Sequence, residues 1–200
     1  MGKKSQKINK KTIKALTQAM EELGQKYSIR VGIQGSQAYE SHGDLTNAQL
    51  GAIHEFGAVI NVTDKMRAYL HTQGIHLKAS TTQIVIPARS FLRDTLLTNE
   101  GKERLMDAVG LSSDNGELNV EIIKLGLMKD SGFMDKLANA IGAKALEMVQ
   151  ESFYVGGYPN SWTPITEFTR KRRKNDPSSP PLTDSGQLRD SITAEVKKIG

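Results

Sequence analysis

The sequence predicts an α+β fold, a small and mostly antiparallel β-sheet flanked by helices, with long loop extensions. Three observations predict it. Short runs of β-branched residues with period two are scattered between stretches of helical period. Ile192, Ala194 and Val196 alternate at the far end of the chain as a closing strand. Between residues 154 and 181 the composition turns to glycine, proline and positive charge, which marks an extended loop. There is no internal repeat or low-complexity tract, and 200 residues suit a single domain spanning 1–200 that needs no metal or disulfide staple.

In chain order, Ile8, Ile13, Leu16, Met20 and Leu23 recur near helical spacing with lysines opposite. They predict an amphipathic helix over 5–24, ended by Gly24 as a C-cap. Residues 28–34 alternate Ile29, Val31 and Ile33 with smaller or polar residues, a half-buried strand, and 35–44 read as a polar loop. Thr46 is placed to cap a helix that buries Leu50, Ile53, His54 and Phe56 and stops at Gly57. Residues 58–62 form a strand. The mixed stretch 63–82, broken at Gly74, reads as an insertion that folds against a neighbouring chain. Residues 83–86 are a strand closed by Pro87.

Helical signal then resumes, with Phe91, Leu92, Thr95 and Leu96 on one face. A broken helix and polar loop cover 101–115. A helical zone runs from Leu118 to Val149, interrupted at 130–132, and a turn or short helix at 184–190 leads to the closing strand.

The composition excludes several classes of function. Without cysteine there is no disulfide framework, thiolate metal site or cysteine nucleophile, a usage that suits assembly in a reducing cytoplasm. No apolar stretch approaches the roughly 20 residues that cross a bilayer, so no membrane partner is expected. The net charge of +5 comes largely from residues 3–14 and 170–174. Such clusters bind nucleic acid in some proteins and are solvated helix faces or arms in more. Aromatic residues do not interleave with them, as a single-strand stacking surface would require.

Chemistry-bearing patterns are equally sparse. His54 and Glu55 are adjacent, but Ala58 stands where a zincin needs its second histidine, and His42, His71 and His76 lack the spacing of a metal site. No serine sits in a nucleophile elbow and no glycine-rich run ends as a phosphate loop. Asp130, Asp135, Asp184 and Asp190 are not paired by any pattern for acid and base work. No catalytic residue, metal or cofactor is expected.

Three motifs in a fixed order carry a resemblance. The first is Ala52-Ile53-His54-Glu55-Phe56-Gly57, placed after an early strand. The second is Ile86-Pro87-Ala88-Arg89-Ser90-Phe91-Leu92. The third combines Pro159-Asn160-Ser161, Thr166, the basic residues 170–173 and Pro181-Leu182-Thr183-Asp184-Ser185-Gly186-Gln187-Leu188-Arg189-Asp190-Ser191-Ile192. Together they resemble the phage virion-morphogenesis family of tail-completion, tail-terminator and head–tail joining proteins, over most of the chain. Departures from the family pattern are Ser90, where a proline usually precedes the phenylalanine, and Tyr158, which takes the place of the first of two prolines. Trp162-Thr163-Pro164 is also less typical.

The resemblance implies a non-enzymatic virion protein of the neck, assembled in the host cytoplasm. It would close into a homo-oligomeric ring, expected to be a hexamer, around the channel through which phage DNA passes without sequence-specific recognition. Its partners would be its own copies, the tail tube protein and the head-completion connector or stopper protein. The candidate interface residues are His54, Glu55, Phe56, Gly57, Pro87, Arg89, Phe91, Pro159, Asn160, Leu182, Asp184, Gly186, Gln187, Leu188 and Arg189.

Each motif also has a folding role. Gly57 and Gly186 would permit positive φ, Phe56 and Leu188 would anchor loops to the core, and Glu55 would pair with Arg89 or Arg189. The N-terminal helix, the insertion 63–82 and the loop 154–181 are expected to reach neighbouring subunits. Two rival classes are a DNA-binding protein that uses the basic clusters and a maturation hydrolase or nuclease.

Overall fold

The structure, a computed structural model, describes residues 21, 23–42, 44–110, 132–173 and 176–199. Most of the expected helix 5–24, the loop up to Asn115, the helical segment from Leu118 to Leu125 and Lys174 lie outside the described residues. Gly24 does not end a helix. Helical backbone continues through Lys26 and the chain turns straight into strand β1, Tyr27–Ile33.

The fold is α+β, and all its described strands pair antiparallel, as three separate two-stranded ribbons rather than one sheet. In the largest, β1 pairs with the closing strand β6, Ile192–Lys198, from Tyr27 opposite Lys198 to Ile33 opposite Ile192. The expected polar loop at 35–44 is structured. It forms a 3-10 turn, Gly35–Tyr39, then the ribbon of β2, Ser41–His42, and β3, Leu45–Thr46.

Helix α1, Asn47–Phe56, starts in a full capping box: Thr46 Oγ1 accepts from Gln49 N–H, and Gln49 Oε1 accepts from Thr46 N–H. Its most buried residues are Asn47, Gly51 and Glu55; of the expected row, Leu50 packs partly buried on the main core, Ile53 and His54 are half-buried and Phe56 is exposed. The reason is backbone proximity. A Cβ on Gly51 would collide with Ile33 Cδ1, so the helix rests on β1 along the line of its smallest residue and turns Phe56 outward, 68% exposed. Gly57, at φ 75°, closes the helix and delivers the chain to β4, Ala58–Asn61.

Strands β4 and β5, Gln83–Ile86, form the third ribbon, with Val59 opposite Val85. The insertion between them takes up secondary structure of its own. Thr63 caps helix α2, Asp64–Thr72. Arg67 then donates to the carbonyls of Leu77, Lys78 and Thr81 at 3.3, 2.9 and 2.7 Å, pinning the return path. The rings of His71 and His76 meet edge to face at 4.5 Å.

Helices α3, Arg93–Leu97, and α4, Asn99–Ala108, follow, then α5, Phe133–Val155. The buried stripe of α5 includes Leu137, Gly142, Ala145, Met148, Val149 and Phe153, spaced to keep one face on the ribbon. At Gly142 a Cβ would stand 2.9 Å from Val196 Cγ2, so the helix approaches β6 closely there. The expected loop 154–181 begins only after α5 ends at Gly156, in a left-handed C-cap, and contains helix α6, Glu167–Arg172. The last helix is α7, Gln187–Asp190.

The main core gathers Phe91, Val149, Phe153, Trp162, Leu188 and Ile192. Phe153 lies 5.2 Å from Phe91 and 5.4 Å from Trp162, nearly perpendicular to the latter. Burial of each such side chain contributes roughly 2–3 kcal/mol. A second cluster of Leu23, Tyr27 and Ala138 seals the other end of α5. Among the described residues, no helix is long and apolar enough to cross a membrane.

Candidate functional site

The last turn of α1 aims Glu55 inward, where it is 5% exposed. Its carboxylate accepts from Ser90 Oγ at 2.7 Å and from the backbone N–H groups of Phe91, Leu92 and Arg93 at 2.9, 3.0 and 2.9 Å. These donors lead into α3, whose opening N–H groups have no partner within the helix. A buried anion is thereby satisfied by backbone dipoles. The expected pairing with Arg89 or Arg189 is not formed. Ser90 completes the arrangement, because its hydroxyl donates to Glu55 while its oxygen accepts from Asp94 N–H at 2.9 Å. A proline, with no side-chain donor, could do neither.

Arg89, 7% exposed, ties the second motif to the other two. Its backbone N–H donates to His54 O at 2.7 Å. Its guanidinium donates from Nε to Thr163 O at 2.9 Å and from Nη2 to Pro164 O at 3.4 Å. Burial, and then the charge of Arg173, pulls the Arg89 guanidinium below its usual pKa. Trp162 Nε1 donates to Ser90 O at 3.2 Å, so the indole, set in a less typical part of the third motif, is hydrogen-bonded to the second.

The remaining third-motif residues close the circle. Gly186 takes φ 75° as expected, and Leu188 is core while Phe56 is not. Phe56 instead lies under the Arg93 guanidinium at 5.3 Å. Gln187 Nε2 donates to Ser41 O at 2.9 Å and to Asn47 Oδ1 at 3.1 Å, while Asn47 Nδ2 donates to Gln37 O at 3.1 Å. Pro159 follows a cis peptide bond and Asn160 is exposed. Arg189 faces away, donating to Tyr154 Oη at 2.7 Å and pairing with Asp190.

All three motifs line one cleft of about 650 Å³. His54, Pro87, Arg89, Leu182, Asp184 and Leu188 contribute to it, whereas Phe56, Asn160 and Arg189 do not. Leu182 holds φ 68°, a left-handed conformation that costs a non-glycine residue roughly 1–2 kcal/mol and is sustained only where its surroundings fix it. Sequence reasoning missed Arg172 and Arg173 as cleft residues, and Asn47 and Trp162 as parts of the junction. The four-residue spacing of Asn47, Gly51 and Glu55 was the available signal for Asn47. Among the described residues, no three His, Cys, Asp or Glu side chains group as metal ligands would.

Comparison of the chain with protein-family models, with curated proteins and with solved structures finds no match.

Proposed function

We propose that this chain is a structural subunit of a tailed-phage virion, a tail-completion or head–tail joining protein that assembles with its own copies into a ring at the neck. It works by shape-complementary binding rather than by turnover. The reading starts from the resemblance carried by the three motifs. The observation that carries it furthest is the β4–β5 ribbon. Val59 and Val85 stand directly opposite each other, 60% and 67% exposed, on a ribbon with no third strand among the described residues. An isolated two-stranded ribbon is marginally stable, and its open edges and apolar face are templates for another chain. Closed rings repeat one such contact around an axis. In this reading the tail tube protein and the head connector meet the two faces of the ring, and DNA passes through it.

Light scattering on the purified full chain, followed by negative-stain imaging with isolated tail tubes, tests the proposal. A defined oligomer that caps tube ends is the expected result. A chain that stays monomeric and leaves tubes open overturns it. Tight binding of duplex DNA that collapses as salt rises would transfer the reading to a DNA-binding protein, because counterion release drives that association.

A further inference from the structure

We infer that the cleft shared by the three motifs is a docking site for a partner polypeptide segment that carries two acidic side chains among aliphatic ones. The floor supplies the apolar half of the match, through Leu50, Ile86, Leu182 and Leu188. Its charged half is arginine. Arg89, Arg172 and Arg173 all line the cleft, and Asp184 is the one carboxylate among its lining residues, which leaves two positive charges in excess.

Among the described residues, none of the three arginine side chains hydrogen-bonds to a carboxylate, although Asp176 is near enough to Arg173 for their charges to attract. Arg89 donates to the carbonyls of Thr163 and Pro164. Arg172 donates to Gln73 Oε1 at 2.6 Å and lies 5.1 Å over the Phe168 ring. Arg173 donates to the carbonyl and hydroxyl of Ser179 and to Pro180 O at 2.8 Å. Every one of these acceptors is neutral, so each guanidinium is held in place without a direct carboxylate partner among the described residues.

Such an arrangement is costly in the free protein and favourable with an anion present. Arg89 is more than nine-tenths buried, and the like charge of Arg173 is close enough to disfavour its cationic form. Apolar walls strengthen Coulomb attraction over its value in water. Planar guanidinium forks match carboxylates in bidentate geometry, and orientation by neutral acceptors lowers the ordering cost on binding. Phosphate offers the same anionic geometry, but a nucleic-acid backbone would leave the aliphatic floor unused. Two carboxylates match the excess charge, which one chain terminus cannot. The inference rests on the cleft alone and stands whether or not the chain forms a ring.

The test uses the full chain and a dye-labelled, end-capped peptide of three leucines alternating with two glutamates, followed by fluorescence anisotropy. Saturable binding below about 1 mM is expected, weakened about tenfold by Arg172→Gln, which removes one charge-assisted contact. Among the described residues the Arg172 guanidinium engages only side chains, Gln73 by a hydrogen bond and Phe168 by its ring, so that variant keeps its fold, and an unchanged melting curve checks this. Replacing both glutamates by glutamine, or the leucines by serine, should each abolish the signal. No binding at about 1 mM, binding indifferent to Arg172→Gln, or survival of the serine peptide each overturns the inference. So does a short DNA duplex that displaces the peptide and is itself weakened by Arg172→Gln, since that would make the cleft a phosphate site.

Discussion

The junction around Glu55 and the β4–β5 ribbon lie on either side of Gly57, and they are built on opposite principles. At the junction nearly every polar group is buried and answered by another: one carboxylate meets four donors, and Trp162 and Arg89 reach into neighbouring motifs. On the ribbon Val59 and Val85 stand exposed side by side, while Ile60, Ile84 and Ile86 are half-buried. The contrast separates two meanings of a motif. Glu55, Gly57, Arg89 and Leu188 hold this chain's own turns together, whereas Val59 and Val85, just beyond them, stand exposed where the sequence carries no motif.

The sharpest way to break this division is Glu55→Ala. Four donors would lose their common acceptor inside the protein, and a loss of about 3–5 kcal/mol is expected in urea unfolding. A loss below about 1 kcal/mol would mean that water replaces the carboxylate and that the junction is not a folding device. Next comes Gly57→Ala. A Cβ there meets Ile86 O at 2.9 Å and Ala88 N at 3.0 Å, both backbone atoms, at φ 75°. With the left-handed cost added, about 2–4 kcal/mol should be lost.

On the other region the outcome should invert. Val59→Lys with Val85→Glu replaces an exposed apolar pair by opposite charges across the ribbon, so monomer stability should stay within about 0.5 kcal/mol while self-association seen by light scattering disappears. Equal damage to both would place the pair in the folding class with Glu55.

The smallest effect concerns the far end of α5. Tyr27 Oη donates to Asp135 Oδ1 at 2.7 Å. That hydrogen bond first, then burial and the negative charge of Asp135, hold the phenol above its ordinary pKa. Because the folded-state value is raised, the stabilisation is present in full below the unfolded tyrosine value of about 10 and is lost as pH rises through the folded value. Ultraviolet titration of tyrosinate should show one late-titrating group that vanishes in Tyr27→Phe.

Much of the scaffold was legible because it obeys local rules. Period two found β1 and β6, Thr46 and Gly57 bracketed α1 within a residue, and Pro87 marked the end of β5. Three kinds of information were not local. The buried face of α1 depends on how closely its backbone meets Ile33, which no hydrophobicity pattern encodes. The order within 63–82 depends on one arginine reaching carbonyls 10 to 14 residues away. Glu55 was expected to seek an arginine, the commonest answer to a charge embedded in an apolar motif, yet three of its four partners are main-chain groups that any sequence would supply. Of the cleft, the motif residues were legible, but Arg172 and Arg173 read as a solvated face because only the tertiary fold lays α6 over Pro87 and Leu182.

The pairing of Asn61 with Gln83 has a further consequence. These two residues face each other at the end of the ribbon, so everything between them is a side trip that leaves and returns at one point. With its return path fastened by its own Arg67, the segment 62–82 is an exchangeable cassette. Lengthening, shortening or swapping it alters what the protein displays there while the register of β4 and β5 is preserved, since loop-closure entropy changes only slowly with length. A lineage that must follow a changing partner can therefore rewrite that surface in a single recombination event, without reopening the buried network on which folding depends.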